Sequence, residues 1–431
     1  MTMSTTPLDS RASVDEAPET QSSFHPVRSR TGMGRLGVAL GVAGFGWVLP
    51  FGASTTVLLP AKIAEIDEVN KIALVATVTI AGSVVALLAN IVFGALSDHT
   101  RSRFGRRNPW LVGGGIAAGT FMALLATADS VPTLILWWCL YQVAQNAIVA
   151  AVVAIVPDRV PIPRRGTISA VYGMGAVLGA TSGSILGASF IDAPSNGFLA
   201  LAISVVVLPV VATLIAPDFS NAGEPRLKLS RREMFQTFSF PRKAPDYYWA
   251  LIGRLLIVLG YYMVSGYQLY ILTDHMGLDS GAAANFITII ALVNVVALTL
   301  AAVVSGPVSD KMGRRKAFVI VASLLIGAGA VFPLVMAQPW TLIAFAALGG
   351  LGMGIYQSVD TALMSEVLPS EASRGKDLGI LNMANTGGQI LAPFAASVLI
   401  GIGFGFVPIF IAASAVCVVG ALAITPIKSA K

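Results

Sequence analysis

The segment from Gly94 to Trp110 reads GALSDHTRSRFGRRNPW, and its core returns in the second half as GPVSDKMGRRKAF, from Gly306 to Phe318. Gly94 and Asp98 map onto Gly306 and Asp310 at one common offset, close to half the chain. Each copy lies between long apolar segments. A chain that repeats a charged loop half a length later is expected to be built from two equivalent halves. No other feature constrains the fold as much.

The apolar segments set the solvent. Hydrophobic residues make up 55% of the 431 residues, and only 12% are charged, about half the charged share of a soluble protein. A bilayer core takes about 20 apolar residues per helix. Twelve such stretches can be placed, at 36–60, 72–97, 109–128, 132–157, 166–190, 197–216, 247–273, 284–306, 317–336, 340–367, 378–400 and 404–425. In hydrocarbon the backbone must satisfy its own hydrogen bonds, so runs of this length mean helices. Barrel strands would be about ten residues long and alternating. The expected fold is an all-α membrane protein, twelve transmembrane helices in two pseudo-symmetric six-helix bundles. Residues 1–33 are expected to form a disordered cytoplasmic tail, 34–216 the first bundle, 217–246 a basic linker, 247–426 the second bundle and 427–431 a short C-tail.

The net charge of +6 could suggest nucleic acid, but its distribution points elsewhere. All but three of the 28 Lys and Arg residues fall in the two tails and in the alternate loops that hold the repeated motifs. Lys62 and Lys71 lie in the opposite loops, and Arg254 lies inside a span. By the positive-inside rule both termini, the 94–108 loop and the linker are cytoplasmic. The expected setting is a multi-pass protein of the cell membrane, with the lipid bilayer and not nucleic acid as its surroundings. No cleaved signal peptide is expected, because no short apolar region with a small-residue cleavage site precedes Gly34. Cys139 and Cys417 sit in apolar spans of different halves and read as free thiols.

The same offset relates Gln145 to Gln357 and Pro157 to Pro369, and an Arg-Gly follows each proline, at 165–166 and 374–375. The loop after Asp310 is four residues shorter than its counterpart, so compensating length changes are expected to restore the register downstream. At this point the chain resembles the major facilitator superfamily over nearly its whole length, since G-x-x-S-D…G-R-R is that superfamily's cytoplasmic loop between helices 2 and 3. The extended form SDHTRSRFGRRNPW is most similar to the glycoside–pentoside–hexuronide cation symporters and the sucrose–proton symporters. The resemblance implies two bundles rocking about a central site, with helices 1, 4, 7 and 10 lining the cavity.

Within the motif, Gly94 would allow close helix approach. Asp98 ends the second span where it can accept hydrogen bonds from Arg106 or Arg107, or from the start of the eleventh span near Lys376-Asp377-Leu378. Gly94, Asp98, Arg106 and Arg107, with Asp310, Arg314 and Arg315 in the second copy, are read as a conformational latch.

An ionisable group inside a span costs at least about 2.5–3.5 kcal/mol on insertion scales. Two such groups stand out, Arg254 in the seventh span and Asp360 in the tenth. At 1.5 Å per residue both lie about 10–14 Å from the cytoplasmic end, so they could meet. Beside an Arg, an Asp stays ionised; once the pair separates, a carboxylate in apolar surroundings takes up a proton. Both are therefore candidates for proton coupling, the other reading being a static pair that glues two helices. The resemblance to melibiose-type sodium symporters implies acids within spans 2 and 4. Here the second span has none before Asp98 and the fourth none before Asp158, so a proton is expected in place of sodium.

Polar stripes flank that pair. Tyr261, Ser265 and Gln268 follow Arg254 at i+7, i+11 and i+14, one helical face. The fourth span carries Tyr141 with Gln145 and Gln142 with Asn146 at i, i+4, and the tenth carries Tyr356 one turn from Asp360, with Gln357 alongside. Asn385, with Asn382 and Gln389, lies in the eleventh span, and Trp47 in the first. Aromatic faces and amides suit a polyhydroxylated ligand, although amides also serve as helix–helix glue. Gly175, Gly179, Gly183 and Gly187, every fourth residue of the fifth span, point to close helix packing. Ala180 stands where the G-x-x-x-G-P pattern of drug–proton antiporters has proline.

There is no phosphate-cradling loop, metal-ligand cluster or nucleophile–base constellation. Neither enzyme activity, cofactor nor metal is expected. The sequence thus points to a monomeric secondary transporter moving a small-molecule substrate, a sugar or glycoside, by proton symport. Proton-coupled antiport of drugs or metabolites stands as the alternative.

Overall fold

The structure is a computed structural model that describes residues 31–223, 244–367 and 374–428. Among these residues twelve helices are long and apolar enough to cross a membrane. They are α1 (Met33–Ile66), α2 (Lys71–His99), α3 (Asn108–Ala126), α4 (Val131–Arg159), α5 (Arg165–Ala188) and α6 (Pro194–Ile215). The second half follows with α7 (Pro245–Ser265), α8 (Ser280–Met312), α9 (Arg315–Val335), α10 (Pro339–Glu366), α11 (Arg374–Gly401) and α12 (Val407–Ile424). All the linker's basic residues, together with Pro369 and the side chains of Lys376, Asp377 and Asn382, lie outside the described residues.

Local chemistry sets the helix ends. Proline occupies the first turn of α3, α4, α6, α7, α10 and α12, where its missing N–H has no partner to lose. Asp279 caps α8 by accepting from the Ala282 N–H at 2.9 Å. The glycine of each G-R-R sequence turns the chain between helices at positive φ, Gly105 at 91° and Gly313 at 60°, a conformation that disfavours any Cβ.

The two halves repeat one packing scheme. α1 packs on α5 and α6, α3 on α4 and α6, and α2 on α4. In the same way α7 packs on α11 and α12, α9 on α10 and α12, and α8 on α10. Across the divide α2 meets α11 and α5 meets α8. The register between halves differs from expectation, however. Gly105 pairs with Gly313 and Arg107 with Arg315, at an offset four shorter than the one that pairs Gly94 with Gly306. The shortened second loop is therefore not compensated at once, and the pairing of Gln145 with Gln357 does not hold structurally.

α1 contains a π-helical turn at Ser54–Leu58, and another follows the end of α7 at Ile271–His275. Both lie at the end opposite the motifs, where the halves are shut against each other. Val57, Leu58, Leu269, Tyr270 and Ile271 belong there to one buried cluster drawn from both halves. Tyr270 Oη donates to Pro60 O at 2.8 Å, and Tyr267 Oη reaches Ile72 O at 3.3 Å and Pro393 O at 2.9 Å. Lys71 Nζ bridges to Asp274 at 2.9 Å, its ammonium 4.9 Å from the Tyr270 ring centroid. At the motif end the space beside α2 is open: a Cβ on Gly94 would meet nothing within 4 Å.

Candidate functional site

At the motif end, Arg107 gathers three partners. Its Nη2 reaches Asp98 Oδ1 at 2.5 Å, its Nη1 Ser97 Oγ at 2.5 Å and its Nε Asp158 Oδ2 at 2.7 Å. The guanidinium is buried, so these charge-assisted bonds are little screened. The second copy repeats the arrangement, with Arg315 joining Asp310 at 3.1 Å and Glu366 at 2.5 Å. Each arginine thus ties the end of the second helix of its half to the end of the fourth. Arg107 and Arg315 are the arginines of these clasps, while Arg314 is exposed just before α9. The close approach expected at Gly94 is not made: a Cβ there would meet nothing within 4 Å. Sequence reasoning missed Asp158 and Glu366, although the offset that pairs Arg107 with Arg315 carries one acid onto the other.

Asn221, just past α6, buttons the start of the linker onto the motif loop. Its Nδ2 donates to Thr100 O at 2.8 Å and its Oδ1 accepts from the Ser102 N–H at 2.9 Å. Arg159 does similar work at the end of α4, donating to Ala216 O, Pro217 O and Thr31 Oγ1.

Deep between α7 and α10, Arg254 Nη2 stands 3.4 Å from Asp360 Oδ2. Both side chains are nearly enclosed, at 11% and 4% exposure, so the charges neutralise each other away from bulk water. Asp360 Oδ1 has no hydrogen-bond partner among the described residues. One turn earlier, Tyr356 lies beside both charges and its Oη donates to Asn385 Oδ1 at 3.1 Å. The structure thus brings Arg254, Tyr356, Asp360 and Asn385 together from three helices. Gln357 and Gln389 are exposed.

Tyr261 forms a separate polar point. Its hydroxyl accepts from Asn294 Nδ2 at 3.0 Å, and its ring stacks on Phe345 with centroids 5.9 Å apart. Ser265 Oγ donates to Tyr261 O. Gln268 does not continue this face, because α7 stops at Ser265 and Gly266-Tyr267 turn the chain before Gln268. Tyr267 in that turn is anchored by its hydroxyl, which donates to Pro393 O and Ile72 O.

In the first half, α4 presents a contrasting face. Phe51, Trp138 and Tyr141 stack in series, with centroids 6.4 and 5.4 Å apart. Trp138 Nε1, Tyr141 Oη, Gln142 Oε1 and Gln145 Oε1 are buried without a hydrogen-bond partner among the described residues. They fall at i, i+3, i+4 and i+7, which puts all four on one helix face. Each unsatisfied group costs roughly 1–3 kcal/mol, so four on one buried helix face are a costly arrangement that apolar packing does not explain. Asn146 is turned aside, donating to Gln142 O and accepting from Asn90 Nδ2. Trp47 donates to Tyr172 Oη at 3.2 Å. Trp138 was missed in the sequence, yet it stands one turn from Tyr141 and carries an N–H donor.

The sequence model of a family described as MFS/sugar transport protein matches residues 69–387, which include both motif copies and both intramembrane charges. The chain belongs to this family. As a major facilitator transporter it is a multi-pass membrane protein, and solved structures agree on the fold. The nucleoside transporter NupG superposes with a TM-score of 0.72 at 15% identity, covering 91% of this chain and 99% of that one. The human organic anion transporter MFSD10 gives 0.66 at 16% identity, covering 92% and 100%. Among curated proteins, the Probable inositol transporter 3 of Arabidopsis thaliana is 29% identical over 36% of this chain. The Multidrug resistance protein MdtH of Yersinia enterocolitica is 28% identical over 37%. These matches span only 26% and 38% of the relatives' own lengths.

Proposed function

We propose that this transporter is a secondary active importer of a small polar solute, a sugar or glycoside, driven by proton symport through alternating access. The observation that carries the reading is the enclosed Arg254–Asp360 pair at 3.4 Å, next to the Tyr356–Asn385 hydrogen bond. A proton arriving on Asp360 cancels its attraction for Arg254 and frees α7 and α10 to move relative to each other. The substrate binds against the α4 face of Trp138, Tyr141, Gln142 and Gln145, its apolar side on the stacked rings and its hydroxyls on the unsatisfied amide oxygens. Family membership and the partial similarity to an inositol transporter support a polyol-like cargo. The absence of acids within α2 before Asp98 and within α4 before Asp158 favours a proton over sodium. The charge map supports a motif end and termini on the cytoplasmic side of a plasma-membrane protein acting as a monomer.

Similarity to MdtH supports a second reading, proton antiport of drugs or metabolites. One experiment separates the two. The purified protein is reconstituted right-side-out with an internal pH dye and challenged with a panel of sugars. Acidification on sugar addition supports symport, and alkalinisation supports antiport. No response to any sugar would reject the sugar-symport proposal.

The clasp of Arg107 with Asp98 and Asp158 serves as the latch of the cycle. Asp98→Asn and Arg107→Lys are each expected to slow initial uptake about tenfold at normal surface expression. Each loses part of a charge-assisted hydrogen-bond set, worth roughly 1.5–3 kcal/mol per bond, and lysine cannot bridge two carboxylates in a fixed fork. Wild-type uptake rates in both would remove the latch from the mechanism.

A further inference from the structure

A groove runs along the outside of the first half, between α5 and α6 with α1 as its floor. Its main part, about 620 Å³, is lined by Val38, Phe45, Val171, Met174, Leu178 and Leu208. A second part of about 390 Å³ continues it toward the motif end, sharing Val38, Thr167 and Val171 and ending at Arg164. Glycines keep it deep. Gly34 and Gly37 line its mouth and Gly41 its floor, where side chains would otherwise fill the space.

Its dimensions and charge fit one occupant. Thr167 to Leu178 extends about 16 Å at 1.5 Å per residue, close to half of a hydrocarbon core of about 30 Å. Val38, Val171, Met174 and Leu178 are exposed along it, as suits a surface facing acyl chains. At the mouth stands the exposed Arg164, in the short 3-10 turn Ile162–Arg164 before α5. Among the described residues lining the groove, Arg164 is the cation, whereas the adjacent Arg165 is committed to Val160 O and Pro157 O.

We propose that this groove is a binding site for an anionic phospholipid, with one acyl chain laid along α1 and α5 and the phosphate on Arg164. In a bilayer the groove alone gives little preference, because lipid tails are as apolar as leucine. Selectivity must come from the headgroup, where one Arg near the membrane surface is worth about fivefold in affinity. The inference rests on the membrane fold and is independent of the substrate and coupling ion proposed above.

The test uses the full chain in mixed micelles titrated with phosphatidylglycerol or phosphatidylcholine of identical acyl chains, with bound lipid counted by native mass spectrometry. Wild type is expected to prefer phosphatidylglycerol about fivefold, and Arg164→Gln to bind both equally. Gly34→Leu is expected to weaken both lipids with the fold intact, because a Cβ there meets nothing within 4 Å. An unchanged preference in Arg164→Gln would overturn the assignment. So would glycerol phosphate binding as tightly as the lipid, which would mark a free-anion site, or a dimer that Gly34→Leu disrupts, which would give the groove to a second copy.

Discussion

An Asp360→Asn protein is expected to let substrate equilibrate across the membrane while losing all accumulation against a gradient. Asparagine keeps the shape of the side chain and can bond Arg254, but it cannot carry the proton whose arrival breaks the pair. Its structural cost must be separated from its mechanistic one, since removing one partner from a buried ion pair costs roughly 3–5 kcal/mol. The double variant Arg254→Gln/Asp360→Asn makes that separation. With no charge left alone in the span, its thermal stability is expected to return to near wild type. Uphill transport is expected to stay absent. A double variant that recovered accumulation together with stability would reduce the pair to static glue between α7 and α10. Measuring counterflow and gradient-driven uptake in the same vesicles reads both quantities.

What could be read from the chain depended on how local the determinants were. Twelve apolar runs became twelve helices because hydrocarbon leaves the backbone few alternatives. The glycines of the two G-R-R sequences are equally local, since the turn itself demands positive φ. Arg254 and Asp360 came within reach by arithmetic: each helix end fixes a depth, and two costly charges at one depth have reason to meet. Their direct separation of 3.4 Å needed coordinates. The distant contacts were out of reach. Lys71 and Asp274 are 203 residues apart, and nothing near either one names the other. Asn221 likewise reads as an ordinary linker residue until its hydrogen bonds to Thr100 and Ser102 are seen. Gln268 shows the opposite failure, where helical periodicity was extended across Gly266. The turn there is stabilised by tertiary bonds of Tyr267 that the sequence does not carry. Trp138 was passed over although Tyr141, one turn away, was named. Its indole N–H is a donor, and inside a helix bundle a donor without a partner is the informative fact.

Putting alanine at both Gly175 and Gly183 is expected to prevent stable assembly of the first bundle. At Gly175 the new Cβ would collide with the backbone oxygen of Gly41, and at Gly183 with that of Leu49. Gly179 is confined in the same way, with Phe45 O only 2.7 Å from where a methyl group would stand. Backbone cannot rotate aside as a side chain can, so α1 and α5 would have to separate along their whole contact. Overpacking of this kind typically costs about 1–3 kcal/mol per site, a large share of a total stability of about 5–15 kcal/mol when two sites act together. Gly166 and Gly173 on the same helix supply the matched control, because a Cβ at either meets nothing within 4 Å. Gly166→Ala/Gly173→Ala adds the same two methyl groups and gains helix propensity of up to about 1 kcal/mol per residue. The first variant is expected to unfold at a far lower temperature or to aggregate on solubilisation, and the second to match or exceed wild type. Tryptophan fluorescence melts and gel filtration in one detergent decide between them. Equal behaviour of the two variants would mean that the glycine stripe does not set the α1–α5 distance. The closing of the opposite end by Tyr267, Tyr270 and Lys71 would then have to hold that bundle in place.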